Sequence, residues 1–132
     1  MFHYLAVFAK DISFSHSIFA LPFMLCGVLL SQVTTFHVSH LILLVFAMVF
    51  ARTFAMGMNR YLDADMDKIN DRTRNRGIPG GRISSSQTLI FSLTSAGLFV
   101  LVSFQFNHLT GFLAFPLLVV LASYSFLKRF FK

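Results

Sequence analysis

Asn59, Asp63 and Asp67 carry the side-chain oxygens in this sequence best placed to do chemistry. Their i, i+4, i+8 spacing predicts a single helical face along which they step one turn at a time, with Asp65 pointing elsewhere. Four of the five acidic residues, Asp63, Asp65, Asp67 and Asp71, fall in this one stretch. An amide followed by two carboxylates one turn apart is an open cluster of hard oxygens. Such a cluster suits Mg²⁺, which takes one or two carboxylates and completes its shell with water and phosphate oxygens. Cations follow at once: Lys68, Arg72, Arg74, Arg76 and Arg82. Guanidinium groups next to metal-binding acids are what a diphosphate site needs.

The elements around this segment read as a device for holding it at a membrane surface. The 132 residues are enough for one domain. With 56% hydrophobic and 12% charged residues, and a mean hydropathy of +0.73, the chain is more apolar than a soluble core requires. The fold class expected is all-α, a polytopic transmembrane helical bundle. A net charge of +6 does not indicate a nucleic-acid partner, because the basic residues flank apolar spans and form no stripe. The 18 Phe and the absence of Trp suit helices facing membrane lipid or a prenyl-like ligand. Cys26, the one cysteine, excludes an intrachain disulfide and reads as a small apolar residue of a membrane helix. No internal repeat or low-complexity linker divides the chain.

Two long stretches carry no Lys, Arg, Asp or Glu: residues 12–51 and 83–127. A spanning helix needs about 20 residues, so each stretch fits a hairpin that crosses and returns. Four spanning helices are expected, near 13–33, 38–67, 85–106 and 109–128. The polar breaks lie at 32–40 and 105–111. The second helix is longer than a bilayer, so its acidic end should project into water. Residues 2–9 are apolar but too short to span, and no small-residue cleavage pattern marks a signal peptide; an interfacial lead-in is the reading. Lys10, the 60–82 segment and Lys128, Arg129 and Lys132 all fall on one side after four crossings, and the outer loops hold no Lys or Arg. The positive-inside rule puts both termini and the acidic loop on the cytoplasmic face of the cell (inner) membrane.

Arg52 is the one charge inside an expected span. It precedes Asn59 by seven residues, hence lies on nearly the same face, where it can pair with Asp63 or receive a substrate anion. His16 and Pro22 sit on the first span. His37 and His40 have i, i+3 spacing that can bind zinc, but no third ligand lies near them in the sequence. Ile78-Pro79-Gly80-Gly81 reads as a turn, with a helix cap near Ser84 to Ser86. The glycine pair lacks the strand and Gly-Lys-Ser/Thr context of a phosphate loop.

Asn59-xxx-Asp63-xxx-Asp67, followed by Asn70, Arg72-Thr73, Arg76, Ile78-Pro79 and Gly81-Arg82-Ile83-Ser84, resembles the UbiA family of membrane aromatic prenyltransferases. His16-Ser-Ile-Phe19-Ala-Leu-Pro22-Phe, Arg52, Tyr124 and Lys128-Arg129 extend the likeness over most of the chain. The sub-pattern is similar to members that prenylate 4-hydroxybenzoate or a hydroxynaphthoate in ubiquinone and menaquinone biosynthesis. The resemblance implies Mg²⁺-dependent transfer of a polyprenyl group from polyprenyl diphosphate to an aromatic carboxylic acid. It implies Asn59, Asp63 and Asp67 as the metal and diphosphate ligands, Asp63 and Asp67 as the catalytic carboxylates, and Arg72 and Arg76 on the leaving group. Arg52 and Lys128 are implied as further substrate-binding residues.

The sequence departs from the family in one respect. A complete member has a second Asp-rich motif facing the first, whereas no Asp or Glu follows Asp71 here. The expectation is a chain resembling the N-terminal half of the enzyme, residues 1–132 forming one membrane domain. It would act with a complementary chain carrying the second motif, or be an inactive fragment. A membrane protein whose basic loop binds anionic lipid headgroups is the reading from another class.

Overall fold

Backbone N–H and C=O groups find no water inside a bilayer, so an apolar chain segment crossing it must pair them internally, and the helix does so within one segment. The computed structural model describes residues 2–11, 21–30 and 37–130, and all the regular structure there is helical. The elements are α1 (Phe2–Asp11), α2 (Leu21–Leu30), α3 (Val38–Ile69), α4 (Ser85–Phe104) and α5 (His108–Phe130). Helices α3, α4 and α5 are each long and apolar enough to cross a membrane. The chain is a multi-pass membrane protein built as a helical bundle. The span expected over 13–33 lies mostly outside the described residues; its described part is α2.

The three long helices begin and end within two residues of the expected positions, for local reasons. Ser84 caps α4 by a reciprocal pair of hydrogen bonds: its Oγ accepts from the Gln87 N–H at 3.1 Å, and its own N–H donates to Gln87 Oε1 at 3.0 Å. Asn107 opens α5, its Oδ1 accepting from the Thr110 N–H at 2.7 Å. Helix α3 has 32 residues, which at 1.5 Å per residue is about 48 Å against a hydrocarbon layer of about 30 Å. Its last turns therefore project beyond the layer and carry the acidic residues.

The α3–α4 pair is the most extensive in the bundle, and α5 packs on both. Thr88, Ser92, Ser95, Phe99 and Ser103 form the buried face of α4. The four hydroxyls donate to carbonyls one turn back, at 2.8–3.1 Å. Small side chains with their polar atoms satisfied let the helices approach without leaving an unpaired group in an apolar layer. A close approach occurs at Gly57 of α3, where an added Cβ would collide with Ser92 Oγ and lie 3.1 Å from the Phe8 ring. Leu93, Leu101, Phe112, Phe115 and Val119 face outward, as lipid contact requires.

Phe8 docks α1 onto this pair. It is buried against Ile83, with Val7, Met56, Ile78 and Phe91 around them, and its ring centroid lies 5.4 Å from that of Phe91. Between α3 and α4 the chain makes a hydrogen-bonded series of turns, including Arg74 N to Asn70 O, Arg76 N to Thr73 O and Arg82 N to Gly77 O. Gly81, at φ +68°, occupies the left-handed region that glycine enters without a Cβ penalty. Ile83 then returns the chain to the core beside Phe8.

Replacing Gly57 by Ala should lower stability by about 1–3 kcal/mol, the usual effect of overpacking a tight contact. Ser92→Gly in that background should restore part of the loss, as thermal unfolding of the detergent-solubilised chain would show; equal melting of Gly57→Ala and wild type would exclude the contact.

Candidate functional site

The acidic row lies on one face of α3, as its spacing predicts. Asp63 and Asp67 are buried, while Asp65 is exposed and pairs with Lys68 at 3.8 Å. Asn59, one turn before Asp63, is half-buried, and its Oδ1 has no hydrogen-bond partner. Arg52, two turns before Asn59, is also half-buried, with its Nε in the same condition. An unsatisfied buried polar atom costs about 1–3 kcal/mol, so two of them on one helix face mark a surface that the described residues leave incomplete.

Asp67 is engaged differently. Both of its oxygens accept from Arg76 Nη1, at 2.9 and 2.8 Å, and the two side chains are largely shielded from solvent. Two residues for which the resemblance implies ligand roles, Asp67 toward metal and diphosphate and Arg76 toward the leaving group, are thus paired with each other here. Thr73, which spacing alone did not single out, tightens the arrangement: buried, it donates from Oγ1 to the Asp67 carbonyl at 3.1 Å. Asn70 Oδ1 accepts from the Arg72 N–H at 3.0 Å. The arginine-bearing segment is therefore fastened to the end of α3 at several points. Arg74 and Asp71 pair at 3.1 Å with both side chains exposed, an arrangement worth about 0–1 kcal/mol.

Arg72 and Arg76 share the wall of a cavity of about 550 Å³ with Arg60, Arg82, Asn75 and, from α1, His3, Ala6, Val7 and Lys10. Sequence reasoning counted Arg72, Arg76 and Arg82 among the cations of a diphosphate site and drew a leaving-group role for the first two from the resemblance. The contribution of α1 had no sequence signal, since it depends on how Phe8 docks. The guanidinium of Arg82 donates to the Asn75 carbonyl within this wall.

Lys128 falls within α5, and its side chain lies outside the described residues, as does all of His16. The rings of His37 and His40 are 5.7 Å apart, and His40 stacks on Phe106. Among the described residues no group of three His, Cys, Asp or Glu is placed to hold a metal. The acidic row offers two carboxylates and an amide oxygen.

A membrane-embedded helical bundle with an oxygen-lined helix face and an arginine-bearing turn at one end defines the class of protein. The profile of the UbiA prenyltransferase family matches residues 20–131, and the chain belongs to that family. It is 37% identical over 84 residues to the 4-hydroxybenzoate octaprenyltransferase of Dechloromonas aromatica, covering 63% of this chain and 28% of that protein. The protein of the same name from Cupriavidus pinatubonensis is 35% identical over 92 residues, covering 66% and 32% respectively. A protoheme IX farnesyltransferase of Shewanella is 34% identical over 108 residues, covering 80% and 36%. The chain thus spans about a third of the length of these relatives. No solved structure matches it.

Each of Arg76→Ala and Asp67→Ala should destabilise the chain by about 1.5–3 kcal/mol, the range for a charge-assisted hydrogen bond. The double substitution should cost less than the sum, because the partners share one interaction. A double-mutant cycle from thermal unfolding in detergent checks this, and strict additivity would count against the pair.

Proposed function

We propose that this chain supplies the Asn59–Asp63–Asp67 half of a prenyl-transfer site, moving a polyprenyl group from its diphosphate to an aromatic carboxylic acid. The observation that carries the reading is the buried oxygen row on α3, fastened to an arginine-bearing turn, in a member of the UbiA family. The names of the Dechloromonas and Cupriavidus relatives favour 4-hydroxybenzoate as acceptor, and hence a place in ubiquinone biosynthesis; a hydroxynaphthoate would place it in menaquinone biosynthesis.

The residues fit Mg²⁺ in chemical type. Asn59 Oδ1 is an unpartnered hard oxygen, and Asp63 adds a buried carboxylate one turn on. Asp67 would join them as a ligand once released from Arg76. When bound, Mg²⁺ would supply positive charge to the diphosphate leaving group. Arg76, released from Asp67, and Arg72 beside it would then hold the diphosphate oxygens, where negative charge grows as the allylic C–O bond ionises. Arg52, further down the same face, would receive an anion of either substrate. The apolar helices exclude water that would quench the allylic cation before the aromatic ring attacks it.

In this reading the site is completed by the family's second Asp-rich motif, for which a complementary chain is one source. The basic turn and the ends of α1 and α5 would face the cytoplasm, by the excess of Lys and Arg on that side.

The test is a transfer assay in membranes with labelled polyprenyl diphosphate and 4-hydroxybenzoate or a hydroxynaphthoate. It is run with and without Mg²⁺, and with and without a chain supplying the second motif. Product that needs Mg²⁺ and the partner, and falls at least about a hundredfold in Asp63→Ala, is expected. No product in any pairing of folded chains would overturn the reading. The exchange of partners at Asp67 has its own readout: in titrations with paramagnetic Mn²⁺ as a substitute, Arg76→Ala should bind the metal severalfold more tightly than wild type. Weaker or unchanged binding would remove Asp67 from the ligand set.

A further inference from the structure

We propose that the groove between α3, α4 and α5, at the end of the bundle away from the acidic row, holds one acyl chain of a phospholipid, with the ester of that chain at Thr110. The groove has a volume of about 400 Å³, and its residues are sorted by depth. Ser103, Asn107 and Thr110 lie within two residues of the facing ends of α4 and α5, hence within about 3 Å of the edge of the apolar layer. Leu44, Phe99 and Leu113 come five or six residues in from the ends of their helices, and Ala47 and Leu117 nine residues in. At 1.5 Å per residue the floor is about 13 Å down, close to half of a hydrocarbon layer of about 30 Å. Polar groups at the edge and apolar side chains down to mid-layer match one leaflet's acyl chain, which begins at an ester and ends in a methyl. Phe106, the apolar residue at the edge, is taken up by stacking on His40, with ring centroids 6.2 Å apart.

The edge groups differ in what they still offer. Ser103 Oγ donates to the Phe99 carbonyl at 2.8 Å, and Asn107 Oδ1 accepts from the Thr110 N–H at 2.7 Å. The Thr110 hydroxyl makes no hydrogen bond among the described residues. A hydroxyl at the edge of an apolar layer gains by finding an acceptor there, and an ester carbonyl is one. Among the described residues no Lys, Arg, Asp or Glu lines the groove, so headgroup charge has no part in the recognition. Other occupants fit less well. A further helix, about 10–12 Å across, is too wide for this volume over this depth. A polyprenyl tail anchored at the acidic row would arrive from the opposite side, since Asp63 lies sixteen residues beyond Ala47 on α3, about 24 Å along the axis. Its apolar tip would then meet Asn107 and Thr110. The groove instead opens past Leu113 and Leu117, both exposed and continuous with the lipid-facing side of α5.

None of these residues has a part in the proposed prenyl transfer. The test is native mass spectrometry of the full chain in neutral detergent, titrated with phosphatidylcholine. One lipid per chain should bind saturably, and phosphatidylglycerol should bind equally well. Ala47→Phe, which puts a ring into the floor, should weaken binding at least about tenfold, as losing the burial of two methylenes does. Ile42→Phe, on the exposed side of the same helix, should leave it unchanged. Thr110→Val should weaken binding of the ester-linked lipid about threefold to tenfold, the usual worth of one hydrogen bond. It should leave an ether-linked phosphatidylcholine, which has no ester carbonyl, unaffected, and Thr110→Ser should bind as wild type does. Circular dichroism checks helix content; should Ala47→Phe fail to fold, the comparison of ester and ether lipids decides alone. Binding that does not saturate, or that is equal in folded Ala47→Phe and wild type, would overturn the proposal. So would an equal effect of Thr110→Val on the ester and ether lipids. A polyprenol that displaces phosphatidylcholine at lower concentration than phosphatidylglycerol does would also overturn it, and would assign the groove to an isoprenoid chain.

Discussion

The two-point ion pair between Asp67 and Arg76 joins the end of the longest helix to the turns that follow it, and much of the architecture at that end of the bundle depends on that join. A carboxylate buried at the end of α3 without a partner would carry a desolvation penalty that one charge-assisted contact offsets. Once Arg76 is fixed there, the chain between Asn70 and Ser84 has little freedom. Thr73 closes onto the Asp67 carbonyl, the turn hydrogen bonds follow in series, and Ile83 is returned to the core. Phe8 seats α1 on that same core. One electrostatic contact thus sets where an apolar contact can form.

The same pair gives the site its chemical character. In the proposed site, a carboxylate held by an arginine is kept from collapsing onto other cations, and the arginine is kept near the place where a diphosphate would arrive. In the proposed prenyl transfer both groups exchange partners, each giving up one opposite charge for another. Asn59 Oδ1 and Arg52 Nε contrast with this pair: they lie along the same helix without partners of their own. The face of α3 therefore has a satisfied end at Asp67 and an incomplete stretch deeper along the helix, in the direction a second set of helices or a substrate would have to come from.

Deeper still, packing is governed by a different constraint. Between helices in lipid there is no water to expel, so association relies on close contact and satisfied polar groups. The hydroxyl-bearing face of α4 meets both conditions by bonding back to its own carbonyls, and Gly57 opposite Ser92 provides the space. The outward faces of α4 and α5 are left covered with Leu, Phe and Val, which a bilayer accommodates and water would not.

The sequence by itself determined the three long helices and the oxygen row. Charge-free runs too long for one crossing, polar breaks at fixed places and a capping signal at Ser84 are local signals, and helix formation in an apolar layer answers to local signals. The spacing of Asn59, Asp63 and Asp67 likewise fixes a shared face, because 3.6 residues per turn holds wherever the helix is placed. Only the tertiary structure decided what those residues touch. That Asp67 turns to Arg76, that Thr73 braces it, and that Lys10 and His3 from α1 join Arg60 and Arg72 in one wall all follow from the path of the 70–84 turns and the docking of Phe8. Contacts between residues far apart in the chain depend on how separate elements pack, and no periodicity or spacing along the sequence encodes that.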